Sequence, residues 1–402
     1  MAILDRKFGV QCDKKTWPTG KMPGNFPPLT KEYSCDLAEV LLLIGRLTTP
    51  VLGSSASLAE FWAYVRYLFA WSSEDWMTLT PEFCELDAHQ KTILSDDIGM
   101  GLSIHWLLKK LGIIGICDGK YFIEQHLTSL GGTYTGKSAK RGPGKAPDFI
   151  CLDKHGKFHV IECKGTQTST AYRDKQLGVR NLPFQTDGIA QKNTVNFPTA
   201  FAGEKLACGV FIASDADRRT HLKVVDPEDP PILQLSREGA LDSIEPMIRF
   251  TLSQMLRSSG FPMAARVAAF PKGRAKFGLN DEYVFPESDE LDALREGAFE
   301  EFKERPTSER VLSDFGEFWG RSSEIELPRP LIINDRKIQK VAISQGINAG
   351  LIQDGAQTYF EQKEVRRKDD LGILKRTKFE ARGDSVTMNV GKAYRSEITL
   401  IG

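Results

Sequence analysis

The sequence predicts an α/β chain, and three observations carry that expectation. Residues 149–152 and 158–163 are short apolar runs around the polar stretch Asp153-Lys154-His155-Gly156-Lys157, which reads as a β-hairpin. Residues 57–71, and those from Ser95 onward, repeat apolar side chains at three- and four-residue steps, the period of a half-buried helix. Further apolar runs at 206–213 and 222–225 read as strands.

Taken in order, residues 1 to about 30 read as irregular, because Pro18, Pro23, Pro27 and Pro28 interrupt a polar stretch. Residues 35–47 read as a helix. Ser57 is the expected N-cap of the next helix, with Glu60 three residues on. Its stripe of Leu58, Phe61, Trp62, Val65, Leu68 and Phe69 reads as packed core. A third helix is expected to start at Ser95, with Asp96 and Asp97 in the first turn, where the dipole favours acids. A crossover helix is expected at 187–195, because Gly178, Pro183 and Gly188 break the sequence before it. Asp229-Pro230-Pro231 reads as a linker, 238–258 as a helix, and 330–402 favours strands. The expected organisation is a mainly helical region at 1–94, a central domain at 95–230, and an α+β region at 231–402 in which no role is legible.

The chemistry sits on the hairpin. Asp148 opens its first strand. Glu162 and Lys164 close the second, where a core strand would stay apolar. Alternation puts Glu162 and Lys164 on one face, and the turn brings Asp148 beside them. Two carboxylates at one end of a buried hairpin repel each other unless something positive lies between them. A divalent cation with oxygen ligands resolves this, and Mg²⁺ is the commonest choice where phosphate is the substrate. Such an ion lowers the pKa of a bound water and stabilises charge on a phosphoryl oxygen. Lys164 would orient that water or help to deprotonate it. The plainer alternative is a half-exposed hairpin with a surface Glu162–Lys164 pair, which stabilises little.

Pro147-Asp148 followed by Glu162-Cys163-Lys164 resembles the signature of the PD-(D/E)XK nuclease superfamily. The resemblance covers residues 95–230, about a third of the chain. It implies a restriction-endonuclease-like fold, with an α-β-β-β-α-β core whose mixed sheet is flanked by helices. It implies that Asp148 and Glu162 hold the metal, helped by the backbone carbonyl of Cys163, and that Lys164 assists the attacking water. The first helix of this superfamily often carries an acid that reaches the metal; Asp97 is the candidate, with Glu124 on a later segment. Gln191 and Lys192 would lie on the crossover helix, and Gln191 is a candidate to face the site. The activity implied is that of a Mg²⁺-dependent endonuclease, with Mn²⁺ as a substitute, acting on nucleic acid and on DNA first. A restriction or anti-phage defence effector is the fold-level analogy. The alternative is a non-catalytic nucleic-acid-binding or scaffold protein built on the same domain.

Composition narrows the classes. Lys plus Arg equals Asp plus Glu at 53 each, so no global charge announces a partner. From Gly132 to Arg180, however, ten basic residues stand against four acids. That balance suits a phosphate-backbone substrate. Lys137, Lys140, Arg141 and Lys145, in the glycine-rich stretch before Asp148, are the candidate nucleic-acid contacts. Gly131 to Ser138 also satisfies the Walker A pattern. The sequence before it reads as helix rather than strand, and Gly142-Pro143-Gly144 after it stops a helix, so a phosphate-cradling loop is not expected. Arg366-Arg367-Lys368 and Lys375-Arg376-Lys378 are basic runs that read as solvated surface or nucleic-acid contacts. Seven scattered cysteines and no apolar leader point to a reducing, cytoplasmic setting without a membrane. A protein partner or a homodimer is left open.

Overall fold

The computed structural model describes residues 4–17, 21–49, 63–123, 133–134, 146–178, 195–214, 218–226, 233–270, 288–303, 310–313, 316–333, 336–352 and 373–402. It is a mixed α/β structure with a seven-stranded sheet flanked by helices and a second, antiparallel sheet. No helix among the described residues is long and apolar enough to cross a membrane.

The N-terminal segment departs from expectation. Residues 5–12 form β1 (Asp5–Cys12) and residues 31–36 form β2 (Lys31–Asp36), an antiparallel pair. The prolines fall between the strands, and Phe8, Val10 and Cys12 alternate into the core. The 1–94 segment therefore contributes strands as well as helices. The helix expected at 35–47 starts later, as α1 (Leu37–Leu47), because the Asp36 carboxylate caps the Ala38 amide at 2.8 Å. Of the stripe expected at 57–71, residues 57–62 lie outside the described residues, and Ala63–Ala70 is a 3-10 helix. A short α2 (Pro81–Cys84) follows.

The third helix, α3 (Ala88–Leu111), begins seven residues before Ser95. Asp87 is its N-cap, with one carboxylate oxygen accepting from the His89 and Gln90 amides at 2.9 and 3.1 Å. Ser95 instead donates to the Lys91 carbonyl at 2.7 Å, so Asp96 and Asp97 stand in the body of the helix. Next come β3 (Ile113–Asp118), the short α4 (Gly119–Tyr121) and β4 (Thr133–Tyr134). The hairpin forms as expected, as β5 (Phe149–Asp153) and β6 (Phe158–Thr166). The Asp153 carboxylate accepts from the His155 and Lys157 amides at 2.7 and 2.9 Å, and Gly156 takes φ +77°.

After β6 the described helix is α5 (Thr170–Gln176), capped by Ser169. The expected crossover helix at 187–195 lies outside the described residues up to 194, and Val195 opens a strand, β7 (Val195–Asn196). The two apolar runs become β8 (Ala202–Phe211) and β9 (His221–Val225). The central sheet has the order β2-β1-β9-β8-β6-β5-β3. Its β1–β9 and β8–β6 pairs are parallel and the rest antiparallel. A small sheet joins β4 and β7 through β10 (Leu233–Gln234).

The helix expected at 238–258 is broken at Ser243 into α6 (Arg237–Asp242) and α7 (Ile244–Ser258). Two more follow, α8 (Pro262–Ala269) and α9 (Ser288–Lys303). The C-terminal strands are β11 (Arg310–Ser313), β12 (Gly316–Ile333), β13 (Arg336–Asn348), β14 (Thr377–Arg382), β15 (Ser385–Val390) and β16 (Tyr394–Ile401). They form one antiparallel sheet in the order β11-β12-β13-β16-β15-β14. Helix α1 packs against β15 and β16, and α7 against β3 and β13, so buried apolar side chains run from one sheet to the other.

One approach sets the position of α3. A Cβ on Gly165 of β6 would fall inside the Ser95 carbonyl group, and one on Gly99 would lie 2.8 Å from the Gly165 amide nitrogen. Helix and strand touch backbone to backbone there. Gly165→Ala is expected to destabilise the protein by about 1–3 kcal/mol, the usual cost of overpacking a close-packed interior. Gly24→Ala, with open space around it, should stay within about 0.5 kcal/mol. Urea denaturation of both variants checks this; equal midpoints would contradict the backbone contact.

Candidate active site

Strand register builds the site. Phe149 pairs with Ile161, so Asp148, one residue before β5, stands opposite Glu162. The two residues then bond crosswise. The Asp148 amide donates to Glu162 Oε2 at 3.2 Å, and the Cys163 amide donates to Asp148 Oδ2 at 2.6 Å. The Gly119 amide at the start of α4 holds the Asp148 carbonyl at 2.9 Å. Lys164 forms an ion pair with Glu162 Oε1. Asp148, Glu162 and Lys164 thus come together as the hairpin reading expects. They are not a surface pair, because Glu162 is 0% exposed and the Lys164 side chain 24%.

A fourth group joins them from α3. Asp96, exposed on the helix, shares the electrostatic field of Lys164 and Asp148. Asp97, the candidate from the sequence, is turned elsewhere and accepts from the Tyr67 hydroxyl at 2.5 Å. The two acids are neighbours in a helix and project about 100° apart, so one of them at most can share the face of Ser95 and Gly99. Asp118, at the end of β3, also acts on Asp148, and its carboxylate caps the Tyr121 amide at 2.7 Å. Sequence reasoning singles out neither Asp96 nor Asp118 for the site. Small residues four apart, Ser95 and Gly99, with Gly165 straight after Lys164, are the signal that points to Asp96. Gln191, Glu124, Lys137, Lys140, Arg141 and Lys145 lie outside the described residues, as does most of the Walker-like stretch.

The electrostatics are those of crowded acids. Burial, then the neighbouring Asp148 charge, pushes the Glu162 carboxyl up from its ordinary 4.5 to about 8. Burial pushes Asp148 up to about 6, against the pull of Lys164 and the Cys163 amide. Asp96 and Asp118 are raised as well, burial leading in both. Burial works against the Lys164 ammonium, but Glu162 and Asp148 outweigh it and hold its pKa above the usual lysine value. One ammonium is too little positive charge for these carboxylates.

Among the described residues no group of three or more His, Cys, Asp or Glu side chains is arranged to hold a metal by itself. The donor set nevertheless fits a hard cation. It consists of oxygens only, the Asp148 and Glu162 carboxylates, and Glu162 Oε1 is buried without a hydrogen bond of good geometry. In an extended strand a residue's N–H and C=O point to the same side. The Cys163 carbonyl therefore faces the side where its amide meets Asp148, past the start of β5. Two carboxylates, a carbonyl and retained waters suit Mg²⁺, which dehydrates reluctantly.

The raised carboxyls give a signed pH dependence. Glu162 loses its proton near 4.5 when unfolded and near 8 when folded, so the folded state holds the extra proton between those values. Metal-free stability therefore falls as pH rises through that window. Lys164 contributes in the same sense only above its ordinary 10.5. Glu162→Gln should flatten the fall and melt several degrees higher than wild type at pH 8. Millimolar Mg²⁺ should stabilise wild type more at pH 8.5 than at pH 6, because binding must expel the proton. Thermal melts over pH check both; parallel profiles for wild type and variant would contradict the assignment.

Comparison with protein-family models, with curated proteins and with solved structures finds no match to this chain.

Proposed function

We propose that this chain is a metal-dependent nuclease that hydrolyses phosphodiester bonds in nucleic acid, with DNA as the first substrate to test. The observation that carries the reading is the crosswise Asp148–Glu162 pair with Lys164 against it, where β5 begins beside the middle of β6, with Glu162 fully buried. A structural ion pair needs one acid and one base. Here a second acid is enclosed with them, at a cost that a bound cation offsets. The element order α3-β3-β5-β6-α5-β8, with the three-residue α4 as an insertion and β4 and β7 set apart in the small sheet, supports a restriction-endonuclease-like core of the kind the PD-(D/E)XK resemblance implies.

In this reading Asp148 and Glu162 hold Mg²⁺, with the Cys163 carbonyl beside them. The ion supplies a water of lowered pKa and neutralises charge on the phosphate. Lys164, partly exposed, would orient an attacking water and meet the negative charge that develops on the phosphoryl oxygens. Asp96 extends the acidic rim from the helix side and is a candidate to hold a metal-bound water. A restriction or defence role is the wider setting that the fold analogy suggests.

The test is cleavage of supercoiled plasmid, linear duplex, single-stranded DNA and RNA with Mg²⁺, Mn²⁺ or EDTA. Asp148→Ala, Glu162→Ala and Lys164→Ala should each lower the rate by at least about 100-fold, the scale of losing a positioned catalytic group. Asp96→Asn should have a smaller effect. Undiminished cleavage by folded Glu162→Ala would overturn the mechanism. Metal-independent binding without turnover by wild type would favour a non-catalytic binding module.

A further inference from the structure

A second charged site lies where α1, α3 and β14 meet. A cleft of about 240 Å³ is lined by Glu39, Lys109, Arg376, Thr377, Lys378 and Glu380, with Leu108 and Phe379 as its apolar walls. Its two acids are already committed. Glu39 Oε2 is 2.6 Å from His105 Nε2 and 3.4 Å from Lys109. Glu380 pairs with Arg382 at 3.2 Å. Arg376 and Lys378 are exposed, and neither has an acidic partner among the described residues.

Bonded to Thr377 of the lining, though not itself lining the cleft, is a further positive charge. Arg46, at the end of α1, is 5% exposed. Its Nη1 donates to Thr377 Oγ1, on the cleft wall, at 3.3 Å, and its Nε has no partner. No carboxylate among the described residues faces this guanidinium. A buried arginine without a counter-charge calls for an anion. The C-terminal carbonyls of α3 disfavour an anion nearby, and Lys109 and Lys110 in the last turn offset them.

We propose that this cleft binds a phosphate group of the nucleic-acid backbone, as an anchor remote from the candidate active site. The inference rests on the nuclease reading for its partner. Its volume falls below the roughly 300–1,000 Å³ of pockets that enclose whole ligands, and so suits one phosphate with part of its sugar. Lys109 lies about 20 Å along α3 from Asp96, at about 1.5 Å per residue. A duplex with one phosphate in the cleft would have its backbone about six base steps from the centre, at about 3.4 Å per step. Such an anchor sets register without reading bases.

The test is binding of a labelled 30-base-pair duplex in Ca²⁺ or EDTA, by anisotropy, over a salt series. Arg376→Ala/Lys378→Ala should weaken binding about tenfold and lower the salt slope by about 0.9 for each phosphate no longer neutralised. Lys303→Ala, an exposed lysine on α9, should match wild type. Inorganic phosphate should compete with the duplex on wild type and less on the double variant. Unchanged affinity and slope in the double variant would overturn the anchor, whatever the cleavage assay shows. The weakened binding, found in a protein that cuts nothing, would keep the anchor and remove the nuclease.

Discussion

Two carboxylates and a lysine meet where β5 begins beside the middle of β6, and Glu162 among them has no exposed surface. Everything near it serves that enclosure. The hairpin register sets Asp148 opposite, and the Cys163 amide bonds its carboxylate. The glycine approach between α3 and β6 lets a helix lie close enough to cover the strand. Burial on this scale strengthens every charge interaction inside and makes an unbalanced one costly. A sheet without a ligand to place there would gain stability from an apolar residue at this position.

How much of this is legible in the sequence depends on the range of the interaction concerned. The hairpin is readable because its turn chemistry and its two apolar runs are local. Glu162 and Lys164 stand out because they interrupt an apolar strand. The start of α3 is easily misplaced, because Ser95-Asp96-Asp97 imitates a helix opening. Asp87, eight residues before Ser95, caps the helix instead. That signal is equally local, but a single aspartate is weaker than the later run of cap-forming residues. The same imitation makes capping a sufficient explanation of Asp96 in sequence alone. Its place at the site depends on which face of α3 meets Gly165, about 70 residues further along the chain. The strands β1 and β2 are hidden by prolines that lie between them. Their place in the sheet is settled by β9, more than half the chain away.

The C-terminal sheet is not a separate appendage in packing terms. Its strands β15 and β16 lie on α1, while β13 lies on α7, which in turn covers β3 of the central sheet. The polar groups at that junction, Arg46, Thr377 and Gln254, are threaded among apolar ones. Gln254 Nε2 donates to the Arg46 carbonyl in the last turn of α1 at 2.8 Å and to the Thr49 carbonyl just beyond the helix at 3.5 Å. The helix end that the Thr48 and Thr49 amides already close is thus tied to a residue from α7 as well. The two sheets share a structural boundary through these groups.

The pairing of β1 with β9 has a consequence for synthesis. β1 leaves the ribosome well before its parallel partner, which follows only after about 200 further residues. Until then β1 has β2 and, at Lys7 only, the backbone of residues 75–77, and so small a ribbon is marginal in water. Contacts of such long range close slowly. The sheet that encloses Glu162 is therefore completed late, after β8 and β9 have been made. A nascent chain cannot complete this sheet until Val225, the last residue of β9, has been made.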